Sequence, residues 1–496
     1  MKHSRTILSV VMVSLLCIPL LSFVIPGTSV TDGVGGNNLR NLPIIANSIS
    51  YTPHAPISIN NDTDFVTQLW PGSGIDGDPY VISGLNITAD AICIEIHDTA
   101  AYFEISECLL SSDAMSTFNG IYLENATNGK ITNCTITLHE DGILVEESSL
   151  CTFTYNNITG NHYGFWFTDS ENCTLTYNTD VNNDYGDYRL EQVSWFNLTG
   201  NEAHSWLNDG FSLSGTDNCT LIDNLAITRD RGFFLYESED DFLERNTASS
   251  NTDRGFGILN SVSITLTDNI AQNSELGFIL ENTESCTLIG NTALNIHSEG
   301  YYLEYANYTV LDKNDATNNG QGFFLCKSKR CNFTENTALN NSGGVGIGLE
   351  LVDDCILSGN TAHKNYDGIF MWTASGCSLT DNTVTNSTRY GIGLGDGSEA
   401  NSVTLNHLGN NTVSNAHDDG DSNYWDNNYY DDYSGEGTYS IPGDAGSVDN
   451  HPHLWGTLPT TPTSTNGTLP DLQVVMILGL IAVVVVVAII YIKIKR

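Results

Sequence analysis

Acidic residues that recur at the spacing of a repeat are the first candidates for chemistry in this chain. Glu281 and Glu304 stand one repeat apart, as do Glu124 and Glu146. If each repeat forms one layer, such carboxylates approach the ~5 Å separation of a retaining glycosidase pair. A repeat protein brings like residues together in any case, so the pairing also arises without selection for chemistry. The spacing leaves a glycoside hydrolase open and favours a protein that is not an enzyme.

Aromatic residues that recur at the same spacing indicate a second kind of site. We expect two outward-facing columns on one sheet, in which flat rings beside carboxylates suit the apolar faces and hydroxyls of sugars. The alternative is that strand propensity alone selects aromatic residues there. The expected ligands are polysaccharides or the glycans of glycoproteins, and the expected binding residues are Tyr122, Glu124, Trp166, Phe234, Tyr236, Tyr302, Phe324, Phe370 and Trp372.

Metal ligands are less well indicated. Asp418, Asp419, Asp421 and Asp426 form a dense oxygen-ligand loop that suits calcium, although the spacing is not that of an EF-hand. A solvated acidic turn explains these residues equally well, and no cofactor is required by any other motif. Copper needs converging His, Met or Cys side chains. The histidines are scattered and His451 and His453 alone are close in sequence, which argues against copper.

The element that must position these residues is a short repeat. A phrase of glycine, an aromatic residue or isoleucine, any residue and an apolar residue recurs every 22 to 24 residues between Gly120 and Leu394, apart from one double step that Gly186 roughly halves. A second phrase carries an asparagine in each repeat, from Asn156 to Asn382. Each repeat holds two segments of alternating polarity, typical of strands, separated by turn residues. The pattern predicts an all-β parallel β-helix of about thirteen turns.

Vertical columns follow from this fold. The second and fourth residues of the glycine phrase, such as Phe233 and Leu235, should point into the core. The asparagines should form a hydrogen-bonded ladder at a left-handed backbone position. Cysteines such as Cys151 and Cys173 occupy one column, where neighbours could form disulfides. Buried thiols acting as small apolar side chains are the favoured interpretation.

The two ends of the chain predict export and anchoring. We expect a signal peptide over residues 1–29 and a linker over 30–50. An apolar stretch over 472–492 is long enough to span a bilayer, and the basic residues 493–496 follow it as a cytoplasmic tail. Between these ends we expect an N-terminal cap with the first strands (51–104), β-helix repeats (105–413), a C-terminal cap (414–455) and a Thr/Pro-rich stalk (456–471). The expected product is a single-pass cell-surface protein with an outward ectodomain.

The net charge limits the kinds of partner that the protein can bind. Of 18 Lys and Arg residues, 2 lie in the expected signal and 3 in the expected tail, which leaves 13 against 59 acids, or about −46. Such a surface repels nucleic acids and polyuronates. Frequent Asn-x-Ser/Thr sequences, including Asn86 and Asn307, are consistent with a glycosylated exterior or with chance in a chain rich in Asn and Thr.

The N-terminal segments Ala55-Pro-Ile-Ser-Ile and Gly72-Ser-Gly-Ile-Asp-Gly-Asp-Pro-Tyr-Val-Ile, with Ala101-Tyr-Phe-Glu-Ile-Ser-Glu-Cys, carry a family resemblance. So do Asn423-Tyr-Trp-Asp-Asn-Asn-Tyr-Tyr and Gly446-Ser-Val-Asp-Asn-His-Pro near the other end. From about Pro56 to Leu454 the chain resembles archaeal surface proteins with NosD-type, "periplasmic copper-binding" β-helix repeats. The resemblance implies a right-handed, pectin-lyase-like helix of the carbohydrate-binding and sugar-hydrolase repeat class.

A β-helix fold does not by itself specify a function, which depends on the residues of a particular site. The favoured hypothesis is a membrane-anchored β-helix that binds glycans along its aromatic and acidic face. The rivals are a structural or adhesive component that contacts other envelope proteins, a glycoside hydrolase, and a copper-handling accessory protein.

Overall fold

The computed structural model describes residues 51–204, 208–227 and 230–455. They form a right-handed parallel β-helix in which every full layer, here called a rung, contributes one strand to each of three parallel sheets. The first sheet has 16 strands: Ile57–Ile59, Ile94–Thr99, Ile121–Ala126, Asp141–Glu146, Tyr163–Thr168, Gly186–Glu191, Phe211–Ser214, Phe233–Tyr236, Arg254–Leu259, Leu276–Glu281, Glu299–Glu304, Gln321–Cys326, Val345–Glu350, Asp367–Trp372, Tyr390–Leu394 and Ser414–Asp418.

The other two sheets consist of shorter strands. The second sheet has 16: Tyr80–Ser83, Phe103–Ser106, Gly129–Thr132, Thr152–Thr154, Thr174–Thr176, Asn197–Thr199, Thr220–Ile222, Phe242–Glu244, Thr265–Thr267, Thr287–Ile289, Val310–Asp312, Asn332–Thr334, Ile356–Ser358, Ser378–Thr380, Ser402–Thr404 and Tyr424–Asp426. The third has 18: Thr52–Pro53, Leu85–Thr88, Leu109–Ser111, Thr135–Thr137, Asn157–Thr159, Thr179–Val181, Glu202–His204, Leu225–Ile227, Thr247–Ser249, Ile270–Gln272, Thr292–Leu294, Asp315–Thr317, Thr337–Leu339, Thr361–His363, Thr383–Thr385, His407–Gly409, Tyr429–Tyr430 and His453–Leu454.

The remaining elements lie near the two ends of the solenoid. A short helix, Asp62–Thr67, begins at Asn61, whose side chain accepts a hydrogen bond from the Thr63 amide at 3.0 Å. Its Phe65 is fully buried and stacks on Tyr80 with ring centroids 4.6 Å apart. At the C-terminal end, Tyr439–Ser440 and Val448–Asp449 form an antiparallel pair. These contacts cover apolar core at the two ends of the part of the solenoid that the structure describes.

The count of about thirteen turns was too low, because two sheets have 16 strands each. The rungs before Gly120 and after Leu394 lack the glycine phrase, so the sequence repeat does not indicate them. The expectation of two strands per repeat also missed the third sheet, whose strands are mostly only three residues long. At ~4.8 Å per rung, sixteen rungs extend over roughly 75 Å.

The core pairs large side chains with small ones. On the first sheet the rings of Tyr188, Phe211, Phe233, Phe256, Phe278, Tyr301 and Phe323 stack in sequence, with centroids 4.5–4.9 Å apart. On the third sheet a buried alanine column, for example Ala248, Ala271 and Ala293, lies opposite. The inward orientation expected for Phe233 and Leu235 is confirmed, since both are fully buried.

The repeated glycine is required by close packing between rungs. A Cβ added to Gly277 would lie 2.2 Å from the carbonyl oxygen of Gly300 in the next rung, and one added to Gly232 would lie 2.6 Å from that of Gly255. In the rung that contains Gly186, the position of the repeated glycine is occupied by Asp187. It falls between the register pairs Tyr163 with Gly186 and Phe165 with Tyr188.

The asparagine ladder is present. Asn291, for example, donates from Nδ2 to the Leu266 carbonyl at 2.8 Å and to Asn314 Oδ1 at 3.0 Å, and its amide donates to the same oxygen. The left-handed residue, however, is the one before the asparagine, such as Gly290 or Lys313. All eleven cysteines in the described part of the chain are free and buried, as the thiol interpretation expected.

Several expectations concern residues outside the described ranges. These are the signal peptide and linker, the stalk, the membrane-spanning helix at 472–492 and the tail, all of which remain predictions. Among residues 51–204, 208–227 and 230–455, no helix has the length and apolar character needed to cross a membrane.

Candidate functional site

The solvent side of the first sheet, here called the outer face, presents two columns of side chains. Their register is as the repeat predicted, because Tyr302 pairs with Phe324 and Glu281 pairs with Glu304. The first column includes Tyr122, Trp166, Phe234, Tyr302, Phe324 and Phe370. The second includes Glu124, Glu146, Tyr236, Glu281, Glu304, Glu350 and Trp372.

Tyr302, Phe324 and Trp372 form an open run of rings, here called the aromatic platform. The rings of Tyr302 and Phe324 are nearly parallel with centroids 6.1 Å apart, and Trp372 lies 6.4 Å from Phe324. All three side chains are half-buried. A Cβ added to Gly348, in the next rung, would lie 2.8 Å from Phe324 Cδ2. The Phe324 ring therefore leans over this glycine and lies along the sheet.

Phe370 lies in the expected column but is not exposed. Only 6% of its surface is accessible, which corrects the expectation of an open ring. The Trp372 ring lies 4.4 Å from it and Tyr390 lies 6.1 Å away, while the Arg389 guanidinium carbon is 5.0 Å from the ring centre. Phe370 therefore supports Trp372 from below and offers little surface to a ligand.

Two other rings of the first column are covered by arginines. The guanidinium carbon of Arg189 lies 4.3 Å from the Trp166 ring centre, and that of Arg231 lies 3.6 Å from the Phe234 ring centre. These are favourable cation–π contacts. The sequence reasoning missed both arginines, although Arg189 occupies the third position of its own rung and Arg231 directly precedes Gly232. Tyr236 lies in the second column, in register with Leu259.

The N-terminal part of the outer face is polar. The Tyr122 hydroxyl donates to Glu146, and His97 Nδ1 lies 2.9 Å from Glu124. His97 also packs edge-on against Tyr122 with centroids 5.2 Å apart. Desolvation, together with the neighbouring Glu146, raises the pKa of Tyr122. Tyr122 and Glu124 are thus held in fixed positions and present hydroxyl and carboxylate oxygens to solvent.

The two candidate catalytic residues are neighbours, but Glu304 is poorly suited to act as an acid. Glu304 accepts from Lys327 at 2.6 Å and from the Tyr302 hydroxyl at 3.2 Å. The Lys327 ammonium lowers the pKa of Glu304. Glu281 lies 3.6 Å from Arg254. A retaining glycosidase needs one carboxyl group whose pKa is raised so that it can protonate the leaving group. The positions fit the expectation, whereas the environment of Glu304 does not.

The acidic loop expected to bind calcium uses its carboxylates within the cap. Asp418 is buried and accepts from Trp425 Nε1 at 2.9 Å and from Ser447 at 2.7 Å. Asp419, Asp421 and Asp426 also take part in hydrogen bonds with nearby polar groups. Within the described residues, no three His, Cys, Asp or Glu side chains are grouped to hold a metal ion. The loop does not bring the four carboxylates together as one ligand set, since strand and turn geometry gives them different partners.

Comparison with known proteins identifies the repeat. The sequence profile of the periplasmic copper-binding protein (NosD) family matches residues 189–298 and 285–437, and the profile of the right-handed β-helix region matches residues 69–226. None of the curated proteins matches the chain.

Solved structures with a similar fold are distant in sequence. The A-module of mannuronan C-5 epimerase AlgE4 from Azotobacter vinelandii is 14% identical, over 70% of this chain and 91% of its own, with a TM-score of 0.36. A pectate lyase is 14% identical over 49% of this chain and 66% of its own, with a TM-score of 0.34. A tailspike protein of an E. coli bacteriophage, solved with a pentasaccharide, is 8% identical over 61% of this chain and 65% of its own, with a TM-score of 0.35.

Proposed function

The chain belongs to the family of the periplasmic copper-binding protein NosD, and from this premise we propose that it binds polysaccharide along the outer face of its β-helix. The observation that carries the proposal is the aromatic platform. Its rings lie half-exposed along one sheet, with Glu304 and Glu350 in the adjoining column. Rings of this kind pack against the apolar faces of sugars while the carboxylates accept hydrogen bonds from hydroxyl groups.

The length of the outer face suits a polymer better than a small molecule. Successive rungs repeat at ~4.8 Å, so side chains of one column meet a linear ligand at regular intervals. Between Tyr122 and Trp372 the outer face carries aromatic, acidic and arginine side chains in most rungs. A ligand that lies along the columns makes many weak contacts, whose sum gives useful affinity.

The family description also raises copper, and the residues present do not fit it. Copper sites need soft sulfur or imidazole ligands that converge. Met371 is fully buried, and the eleven described cysteines are buried in the core. His97 and His162 are each bonded to glutamates in different rungs, and His451 is bonded to Asp426 in the cap. We therefore assign the chain no copper chemistry.

A glycan array probed with the purified protein tests the proposal. We expect binding to at least one polysaccharide, reduced about ten-fold or more by Tyr302→Ala and by Trp372→Ala, because exposed aromatic anchors dominate such interfaces. Tyr177→Ala is the matched control. Tyr177 is 51% exposed, but it stacks on Tyr155 beside the second sheet, away from the outer face.

Two results would overturn the proposal. One is the absence of binding to any glycan, and the other is binding that Tyr177→Ala reduces while the platform variants leave it unchanged. Self-association of the protein that Trp372→Ala abolishes would instead support the rival hypothesis of a structural or adhesive envelope component.

The proposal includes an outward location at the cell surface. Treating intact cells with protease should then remove the described residues from the cell-bound protein, whereas an internal location would protect them.

A further inference from the structure

A pocket interrupts the outer face between the rungs of Arg189 and Arg231. Its volume is about 250 Å³, and it is lined by Tyr163, Tyr185, Gly186, Arg189, Asp209 and Ser212, among others. It lies several rungs from the aromatic platform. The platform is built from rings alone, whereas this pocket combines rings with two guanidinium groups and two carboxylates.

The pocket exists because small residues replace large ones at two neighbouring points. Gly186 is in register with Tyr163, so the column that contains Tyr163 has no side chain in the next rung. Ser212 is in register with Arg189 on one side and Phe234 on the other. In the first column, a short serine side chain therefore lies between the long side chains of an arginine and a phenylalanine. The resulting depression is as wide as one rung and is closed at both ends by long side chains.

Ion pairs fix the charged groups around this depression. Arg231 binds Asp209 through two hydrogen bonds of 2.6 and 2.7 Å, and the Asp209 residue is only 8% exposed. Arg189 binds Glu191 Oε1 through Nε at 2.8 Å and through a terminal nitrogen at 2.6 Å. Trp166 Nε1 donates to the other oxygen of Glu191 at 3.3 Å. The Arg231–Asp209 pair is bidentate, and Glu191 is held by both Arg189 and Trp166, so these donors and acceptors are pre-positioned before a ligand arrives.

The charges of these four groups balance. Among the described residues that line the pocket, the two arginines are matched by Glu191 and Asp209, so neither guanidinium group is left without a carboxylate partner for an anionic ligand to replace. What it offers instead is alternating N–H donors and carboxylate acceptors around a small space. Adjacent hydroxyl groups of a sugar are both donors and acceptors and match such an arrangement.

Rings supply the apolar part of the site. Tyr163 lies 5.3 Å from Trp166 and 5.6 Å from Tyr185, measured between ring centroids. Arg189 covers one side of Trp166, and Tyr163 and Tyr185 form the wall beside Gly186. A pyranose ring has one apolar face and a rim of hydroxyls, and the pocket lining offers both the rings of Tyr163 and Tyr185 and the polar groups of Arg189 and Asp209 to such a ligand.

We propose that this pocket is a specificity subsite that holds a single neutral sugar residue of the polysaccharide. The inference rests on the proposed function and deepens it, because it assigns recognition of sugar identity to the Arg189 and Arg231 rungs and general adhesion to the aromatic platform. Uronic acids are disfavoured, since Arg189 and Arg231 are already paired with Glu191 and Asp209 and a uronate carboxylate would have to displace one of these partners.

The test fills the pocket without touching the core. Ser212→Phe places at an outward position the same side chain that Phe234 carries in the next rung, so the solenoid should tolerate it. Ser214→Phe is the matched control, because Ser214 lies outward on the same strand but in the second column, and it does not line the pocket. Thermal unfolding of both variants should match that of the wild type.

Affinities are measured by calorimetry with neutral hexose oligosaccharides (malto-, cello- and manno-hexaose) and with oligogalacturonate. We expect Ser212→Phe to weaken binding of one neutral oligosaccharide about ten-fold or more, and Ser214→Phe to leave it within about two-fold. Hydrogen exchange provides a second readout on the wild type. Saturating neutral oligosaccharide should slow exchange in peptides covering 185–191 and 208–214.

The outcomes separate the two proposals. If Tyr302→Ala weakens binding but Ser212→Phe does not, the platform binds glycan and the subsite is refuted. If Ser212→Phe and Ser214→Phe weaken binding equally, the pocket has no special role and the inference is wrong. Preference for oligogalacturonate over every neutral oligosaccharide overturns the assignment to neutral sugars. Failure of all oligosaccharides to bind counts against the proposed function itself.

Discussion

Replacing one buried aspartate should make the solenoid more stable at neutral pH. Asp241 occupies the column of Cys219 and Ile264, where its neighbours are apolar, and it is 1% exposed. It accepts from the Cys219 amide at 2.7 Å and from the Thr216 hydroxyl at 2.5 Å. Burial raises the pKa of Asp241 from 3.8 to about 7 despite these bonds. The folded protein therefore retains a proton that the unfolded chain releases near pH 4.

This extra proton in the folded state makes the free energy of unfolding depend on pH. Between pH 4 and pH 7 the folded state binds one proton more than the unfolded state, so stability falls as pH rises. A shift of about three units corresponds to about 4 kcal/mol, which is present below pH 4 and lost by pH 8. Asn cannot ionise. Asn401 already occupies this column, accepting from the Cys377 amide at 2.9 Å and donating to the Ala374 carbonyl at 2.8 Å.

Hydrogen exchange of the Cys219 amide is the appropriate assay, because it reports on the rung in question. In the wild type we expect the opening free energy to fall by up to about 4 kcal/mol from pH 4 to pH 8. In Asp241→Asn it should stay nearly level. The reverse variant, Asn401→Asp, should introduce the same pH dependence at the Cys377 amide. The reasoning is refuted if Asp241→Asn keeps the slope of the wild type.

Three further predictions concern the ladder, the packing and the chemistry. Asn291→Leu should lower stability by about 2–4 kcal/mol in urea unfolding, because it leaves the Asn269 amide and the Leu266 carbonyl without their partner; an unchanged midpoint would contradict this. Gly277→Ala should cost about 1–3 kcal/mol in thermal unfolding, since its Cβ would lie 2.2 Å from the Gly300 oxygen, and wild-type stability would show that rungs separate freely. The protein should release no reducing ends from a polysaccharide that it binds, because both candidate carboxylates are paired with cations, Glu304 with Lys327 at 2.6 Å and Glu281 with Arg254 at 3.6 Å, so neither is placed to act as the acid; release that disappears in Glu281→Gln would show that it is a hydrolase.

Much of the fold was predictable because each column repeats one physical requirement. The alternation around Phe233 and the ladder around Asn291 follow from a period near 22 residues, and both are confirmed. The glycine phrase is missing from the one rung in which aspartates occupy positions that are small residues in other rungs. Asp187 holds the glycine position and Asp180 holds the alanine position opposite it, and both bond to Asn183. A search for glycine therefore selected Gly186, one residue too early.

The candidate site was less predictable than the fold. Register fixed which residues share a column, so Tyr302 and Phe324 could be placed together from spacing alone. Exposure depends on long side chains that fold over neighbouring rings. Arg231 covers Phe234 and Trp372 covers Phe370 within one rung, whereas Arg189 covers Trp166 of the preceding rung. Such contacts carry no periodic signal. The pocket at Ser212 likewise arises from missing bulk, which a search for functional side chains does not detect.

The stacking of near-identical rungs also bears on how such a protein can change over evolutionary time. Because each rung contacts mainly the ones directly above and below, an in-frame duplication or loss of one rung preserves both of its junctions. A lineage can therefore lengthen or shorten its ligand-binding surface in steps of one layer. The Asp180 and Asp187 rung does not share this freedom, since the two substitutions must travel together.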